Sequence, residues 1–230
     1  MAESSPGMVW SCPPGFDRDF AERLLGRRRR QRLSAATARR INTLEKELPL
    51  LLAPRVIHTT LRPETGAGVI SLAPGVEFTN PKMVEALAKA ALVTCFIATI
   101  GPALDRRVEK LQAAGRLADA SVLDALGSAA VEWLADEFQK KVEKEYQPRK
   151  MVAGPRFSPG YCDWPLADQP RLFSLLDHRQ IAVELDQSCL MQPRKSISAI
   201  FGLYPIAAAP DDRDLIPCRR CPKHDCIARR

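Results

Sequence analysis

The sequence predicts an α+β domain, a single antiparallel or mixed sheet flanked by several helices. Three observations carry that expectation. Residues 90–100 form the longest apolar run and are apolar on both faces, which reads as a buried central strand. Residues 117–146 repeat apolar side chains every four positions, the pattern of one long helix. The other strand and helix patterns do not alternate regularly, which argues against doubly wound and TIM-barrel folds.

Taken in order, residues 16–33 read as a first helix with apolar Phe20, Leu24 and Leu25. Ser34 can cap a second helix running to about residue 52, with Ile41, Leu44 and Leu48 on one stripe. Residues 55–61 are β-branched enough for a strand, and 68–72 and 76–78 read as short strands joined by an Ala-Pro-Gly turn. Asn80-Pro81 is a helix start, with Asn as cap and Pro at the first helical position. After the 90–100 strand, Gly101-Pro102 opens a helix to about residue 114 and Gly115 closes it.

In the long helix, Val122, Leu126, Ala130, Leu134, Phe138, Val142 and Tyr146 form the stripe. A spacing of four drifts about 40° per step against 3.6 residues per turn, so the stripe winds around the helix or the helix bends. Glu132 faces away from Ala130 and Leu134. Its own face carries Ala125, Ser128, Ala129 and Ala135, small residues that let a ligand or another backbone come close. From Tyr146 to Tyr161 the chain reads as loop, followed by a short helix at 168–177, a strand at 181–185 and an extended segment at 196–203.

The chain has 230 residues and a net charge of +7, and with 46% apolar residues it can bury a core. Aromatics at 6% are too few for a platform that stacks single-stranded nucleic acid. Three histidines, His58, His178 and His224, cannot build a multi-His metal centre. Residues 1–11 lack the character of a signal peptide and no apolar run is long enough to span a bilayer, so a cytoplasmic protein is expected. Seven cysteines, an odd number, do not form a secreted disulfide framework. Cys95 lies in the apolar strand and reads as core, and Cys12 reads as inert. Positive charge concentrates in Arg27, Arg28, Arg29, Arg30 and Arg32, and again in Arg219, Arg220, Lys223, Arg229 and Arg230. These are either attraction to an acidic partner or a solvated helix end and tail. No helix-turn-helix, RNA-recognition or KH signature accompanies them, so nucleic acid is not the expected partner.

Two segments could carry chemistry. In Arg156-Phe-Ser-Pro-Gly-Tyr161, Pro159 and Gly160 set a tight turn, Arg156 can grip a carboxylate bidentately, and Tyr161 offers a flat face. That set suits a zwitterionic, ring-bearing metabolite; the plainer reading is a Pro-Gly turn beside a surface arginine. Glu132 could supply an anion for a cationic group, or simply be solvated. In the second segment, Cys218, Cys221 and Cys226 fall within nine residues, with His224 between them. Such thiols bind zinc or an iron–sulfur cluster, with His224, Cys162 or Cys189 as fourth ligand, or form a flexible tail with free thiols.

Several segments together resemble the activation domain of cobalamin-dependent methionine synthase and its short stand-alone relatives. The family's Arg-x-x-x-Gly-Tyr signature matches Arg156, Gly160 and Tyr161. The helix at 131–146 places Glu132 on the family's ligand-facing Glu. Met191-x-Pro193-x-x-Ser196-x-Ser198 is similar to a downstream family segment, and the Thr99-Ile-Gly-Pro and Leu123-Asp-Ala-Leu-Gly-Ser128 patterns resemble the short relatives. The resemblance spans roughly residues 55–205.

It implies an activation-domain fold over residues 54–210, with a helical arm at 1–53 and a Cys-rich basic tail at 211–230. It implies binding of S-adenosylmethionine, with Arg156 on the carboxylate end, a backbone contact from Ser158, Gly160 and Tyr161 shaping the pocket, and Glu132 near the cationic part. The methyl group would pass to a cobalamin held by another protein, with one electron from a donor such as flavodoxin or ferredoxin, in reductive activation for methionine biosynthesis. The family's N-terminal acidic residue has no clear match, Asp17 and Asp19 being nearest, and its late Tyr has none, the nearest being Tyr204. No Asp-x-His-x-x-Gly segment is present to hold a corrinoid. The implied role is therefore a methyltransferase component acting on a separate corrinoid protein, either a split methionine synthase or another corrinoid methyltransferase. The alternative is a non-catalytic module that binds such a protein.

Overall fold

The computed structural model describes residues 7–27, 32–161 and 163–209. Its elements in chain order are β1 (Met8–Trp10), α1 (Arg18–Leu24), α2 (Ala35–Leu44), α3 (Leu48–Leu51), β2 (Arg55–Leu61), β3 (Glu64–Gly66), β4 (Val69–Ala73), β5 (Val76–Phe78), α4 (Pro81–Leu87), β6 (Leu92–Thr99), α5 (Ala103–Ala113), α6 (Leu117–Tyr146), β7 (Met151–Phe157), α7 (Gln169–Phe173), β8 (Glu184–Leu185), β9 (Met191–Gln192) and β10 (Ser196–Pro205). Five strands form one antiparallel sheet in the order β1-β2-β6-β10-β7. β3-β4-β5 make a smaller antiparallel sheet, and β8 pairs with β9.

The 90–100 run is the middle strand, β6, and the sheet explains its two apolar faces. Phe96 and Ala98 join Val56 of β2 and Ala199, Phe201 and Leu203 of β10 under α6. Val93 and Cys95 point the other way, toward Ile200, Phe78, Trp164 and Leu172, and Ile97 meets Ile57 and Phe173. The period-2 alternation thus fills two cores, one on each side of the sheet. On the first side α6 lies across the sheet, with α1, α2 and α5 packed around it. Phe138 of α6 touches the rings of Trp10, His58, Phe96 and Phe201. Every residue of the expected stripe is buried except Tyr146, which is half-buried.

Ser34 and Asn80 cap α2 and α4, each side chain accepting from the backbone N–H three residues on. Several expectations change, among them the 168–177 helix, which shortens to α7 at Gln169–Phe173. The first helix is shorter, capped by Asp17 and ending at Leu24, with Gly26 at a φ of +92° that no continuing helix allows. The second breaks into α2, a 3₁₀ turn at Glu45–Glu47 and α3, because Pro49 has no N–H to continue the ladder. The 181–185 strand shrinks to Glu184–Leu185, after a 3₁₀ turn at His178–Ile181 and Ala182 at φ +53°.

The largest difference is β7, in a stretch that reads as loop. Gly154-Pro155 looks like a breaker, but β7 is an edge strand, where proline is tolerated. The ladder with β10 shifts register between Phe201 and Leu203, which absorbs the Gly154-Pro155 pair. Above this irregularity lies the fully buried ring of Tyr204, against Gly154 and Gly202, with its hydroxyl donating to the Ala86 carbonyl at 2.7 Å. Tyr204 is therefore committed to the core. Among the described residues no helix is long and apolar enough to cross a membrane.

Candidate functional site

Alternation along β7 decides where Arg156 goes. Phe157 belongs to the core on the far side of the sheet, so Arg156 projects toward α6. There its Nη2 donates to Glu132 Oε2 and its Nη1 to Asp136 Oδ1, both at 2.9 Å. The two carboxylates stand four residues apart, about 6 Å along the helix axis, and receive one guanidinium nitrogen each. The Arg156 side chain is only 12% exposed. The same helix row continues along the strand: Gln139 donates to the Gly154 carbonyl at 2.9 Å, and Glu143 accepts from the Ala153 N–H at 3.2 Å. α6 thereby satisfies backbone groups of an edge strand that lacks a second neighbour.

The Arg-x-x-x-Gly-Tyr loop leaves β7 and turns at once. Tyr161 N–H donates to the Ser158 carbonyl at 3.1 Å, and Gly160 N–H donates to the Trp164 carbonyl at 2.8 Å. Gly160 sits at φ +88°, a conformation that favours glycine. Trp164 anchors the loop, its buried ring edge-on to Phe78 and its Nε1 donating to Asp168 at 3.1 Å. Ser158 is half-buried, while the Tyr161 ring is 62% exposed. Arg156 and Glu132 are thus in direct contact, whereas Gly160 and Tyr161 form an exposed rim.

A second ionic cluster lies on the same face of α6, one to two turns before Glu132. Lys195 Nζ donates to Ser128 Oγ at 2.9 Å and pairs with Asp124 Oδ1 at 2.8 Å, its side chain 10% exposed. Arg194 lies 3.7 Å from the same carboxylate, and its backbone N–H donates to Asp105 at 2.7 Å. Ser196 Oγ reaches Thr99 Oγ1 at 3.0 Å, and Thr99 in turn accepts from the Gly101 N–H at 3.1 Å. Three segments distant in sequence, around Thr99, Leu123–Ser128 and Met191–Ser198, therefore meet at one end of the sheet. A cavity of about 440 Å³ opens beside them, bordered by Asp124, Ala125, Ser128, Leu25 and Arg194. α1 packs on α6, and just before α1 the chain passes close to the Trp133 ring, where a Cβ on Gly15 would stand 2.6 Å from it. Asp136, Asp124 and Lys195 belong to this arrangement without having stood out in the sequence. The i, i+4 spacing of Asp124, Ser128, Glu132 and Asp136 is the signal that could have found them.

Cys218, Cys221, Cys226 and His224 lie outside the described residues, as does Cys162. Among the described residues no three His, Cys, Asp or Glu side chains gather as a metal site. Cys95 is fully buried, and burial pushes its thiol up. Burial, with Glu137 nearby, pushes the half-buried Cys12 thiol up as well.

The model of one family, the activation domain of vitamin B12 dependent methionine synthase, matches residues 76–208, more than half of the chain. The chain belongs to this family. The matched span holds Glu132, Arg156, Ser158, Gly160, Tyr161 and Lys195. Among solved structures, this activation-domain chain is similar to a crystal structure of the MetH reactivation domain bound to AdoHcy. The TM-score is 0.61 at 17% identity, covering 93% of this chain and 85% of that chain. At that identity the likeness establishes the α+β fold alone. Comparison with curated proteins gave no match.

Proposed function

We propose that this chain binds S-adenosylmethionine along the α6–β7 face and supports reductive methylation of cob(II)alamin on a separate corrinoid protein, most simply a split methionine synthase. The observation that carries this reading is Arg156 held between Glu132 and Asp136, in a chain of the activation-domain family. The ligand offers a carboxylate, an ammonium, a sulfonium and a flat adenine. The two carboxylates suit its cationic part, the remaining N–H groups of Arg156 its carboxylate, and the Ser158–Tyr161 loop its ring.

S-adenosylmethionine supplies a methyl group already activated by its positive sulfur, so no general base is required. One electron and that methyl cation convert cob(II)alamin to methylcobalamin, and the broken C–S bond leaves its pair on sulfur. The protein holds the sulfonium at the approach geometry. The cobalamin arrives on the partner and the electron from a donor of the flavodoxin or ferredoxin type, in the cytoplasm. In this reading residues 54–210 are the binding unit and 1–53 the helical arm. The 211–230 tail holds zinc or an iron–sulfur cluster at Cys218, Cys221 and Cys226, with His224 available as a further ligand.

Calorimetry with S-adenosylmethionine tests the reading: the full chain gives a saturable heat that Arg156→Ala abolishes. A second reading, a non-catalytic module that docks on a corrinoid protein, is favoured by one observation. Both terminal nitrogens of Arg156 are already in ion pairs. A chain that gives no heat with S-adenosylmethionine yet binds the corrinoid protein would be that module.

A further inference from the structure

A different part of the molecule gathers positive charge with too little negative charge to balance it. A cleft of about 360 Å³ lies between α2 and the first turn of α6, bordered by Arg39, Arg40, Thr43, Leu44, Arg116 and Asp119. Asp119 holds two guanidinium groups at once. Arg40 Nε donates to its Oδ1 at 3.1 Å and Arg116 Nε to its Oδ2 at 2.9 Å. Both arginines are engaged through Nε alone, so their Nη nitrogens have no hydrogen-bond partner among the described residues. The exposed Arg39 side chain has no ion-pair or hydrogen-bond partner among them either.

The neighbouring charges do not cancel this excess. Arg107 is spent on Glu47, with hydrogen bonds of 2.8 and 3.2 Å. That hydrogen bonding, against opposing burial and with help from the charges of Arg107 and Arg116, holds the Glu47 carboxyl below its ordinary range. Four guanidinium groups therefore face two carboxylates, leaving two positive charges uncompensated. Arg32, two residues before the Ser34 cap, adds a further positive charge at the start of α2.

We infer that this cleft is a binding site for a phosphate or pyrophosphate group, separate from the proposed S-adenosylmethionine groove. A guanidinium oriented through Nε by a carboxylate loses less freedom when its Nη groups grip an anion. Convergent N–H donors match the several oxygens of a phosphate, and two uncompensated charges match a dianion. The concave shape encloses a small anion better than it fits the convex face of an acidic protein.

The test is calorimetry of the full chain with inorganic pyrophosphate at low ionic strength, with melting curves to confirm that each variant is folded. A saturable one-to-one heat is expected, weakened about tenfold or more in Arg39→Ala/Arg40→Ala. Arg116→Lys keeps the charge but loses the fork, so it should weaken binding nearly as much as Arg116→Ala. The heat with S-adenosylmethionine should not change in any of these variants. Unaltered pyrophosphate binding in Arg39→Ala/Arg40→Ala/Arg116→Ala would overturn the site. So would full affinity in Arg116→Lys, which marks diffuse attraction, or tighter binding of polyglutamate than of pyrophosphate, which marks an acidic protein face.

Discussion

Arg156 and His58 show two ways a half-buried or buried ionisable group is kept in a fold. Arg156 is retained by two carboxylates, and removing it takes one charged hydrogen bond from each. Arg156→Ala should cost about 1–2 kcal/mol in denaturant unfolding, a modest figure because Glu132 and Asp136 are each more than a third exposed. Arg156→Lys, which cannot reach both carboxylates with separate nitrogens, should recover only part of that. His58 lies buried against Phe138, its Nδ1 without a hydrogen-bond partner among the described residues. Burial first, then the Lys141 ammonium, with Glu145 opposing, lowers its pKa from 6.5 to about 4. The folded protein therefore binds this proton less readily than the unfolded chain. This group costs almost nothing well above pH 6.5, and its cost grows as pH drops from 6.5 toward about 4, to about 3 kcal/mol at most. Urea titrations across that window should show the loss, and His58→Phe should flatten it; an equal slope in the variant would remove His58 as its source.

At the scale of elements, α6 organises the molecule. Its 30 residues cover one face of the sheet, brace the edge strand β7 and carry both ionic clusters. Phe138→Ala should cost about 3–5 kcal/mol, since it removes the ring at the centre of the aromatic cluster. Gly127→Ala should cost about 1–3 kcal/mol by overpacking, because its new Cβ would stand 2.6 Å from Leu104 of α5. The Lys195–Asp124 pair ties the chain entering β10 to α6. Lys195→Met alone should destabilise more than Lys195→Met with Asp124→Leu, because the single variant strips the Asp124 carboxylate of its nearer cation and leaves only Arg194 at 3.7 Å. A double-mutant cycle by thermal melting reads this directly.

The sequence made α6, β6 and the caps at Ser34 and Asn80 legible because each rests on local chemistry: a period, an apolar run, a side-chain oxygen three residues from an N–H. It hid β7, because Gly154-Pro155 punctuates the strand and only its edge position and the register shift against β10 make the pair tolerable. The Arg156–Glu132 contact could be approached only through resemblance. Asp136 and the Lys195–Asp124–Ser128 cluster needed the packing of α6 against the sheet to be seen. The partners are set by tertiary geometry, which a helical spacing suggests and does not choose.

At the scale of the whole molecule, the sheet and α6 bring the family's scattered segments to one face. In the proposed reading the cobalamin is carried by a separate corrinoid protein that docks on this face. The direct measurement is anaerobic absorption spectroscopy of a cob(II)alamin-bearing corrinoid partner mixed with this chain, a one-electron reductant and S-adenosylmethionine. The cob(II)alamin spectrum should give way to that of methylcobalamin, and Arg156→Ala should prevent the change. A cob(II)alamin spectrum that persists with the wild-type chain, or a conversion equally fast without it, would overturn the proposed reactivation role.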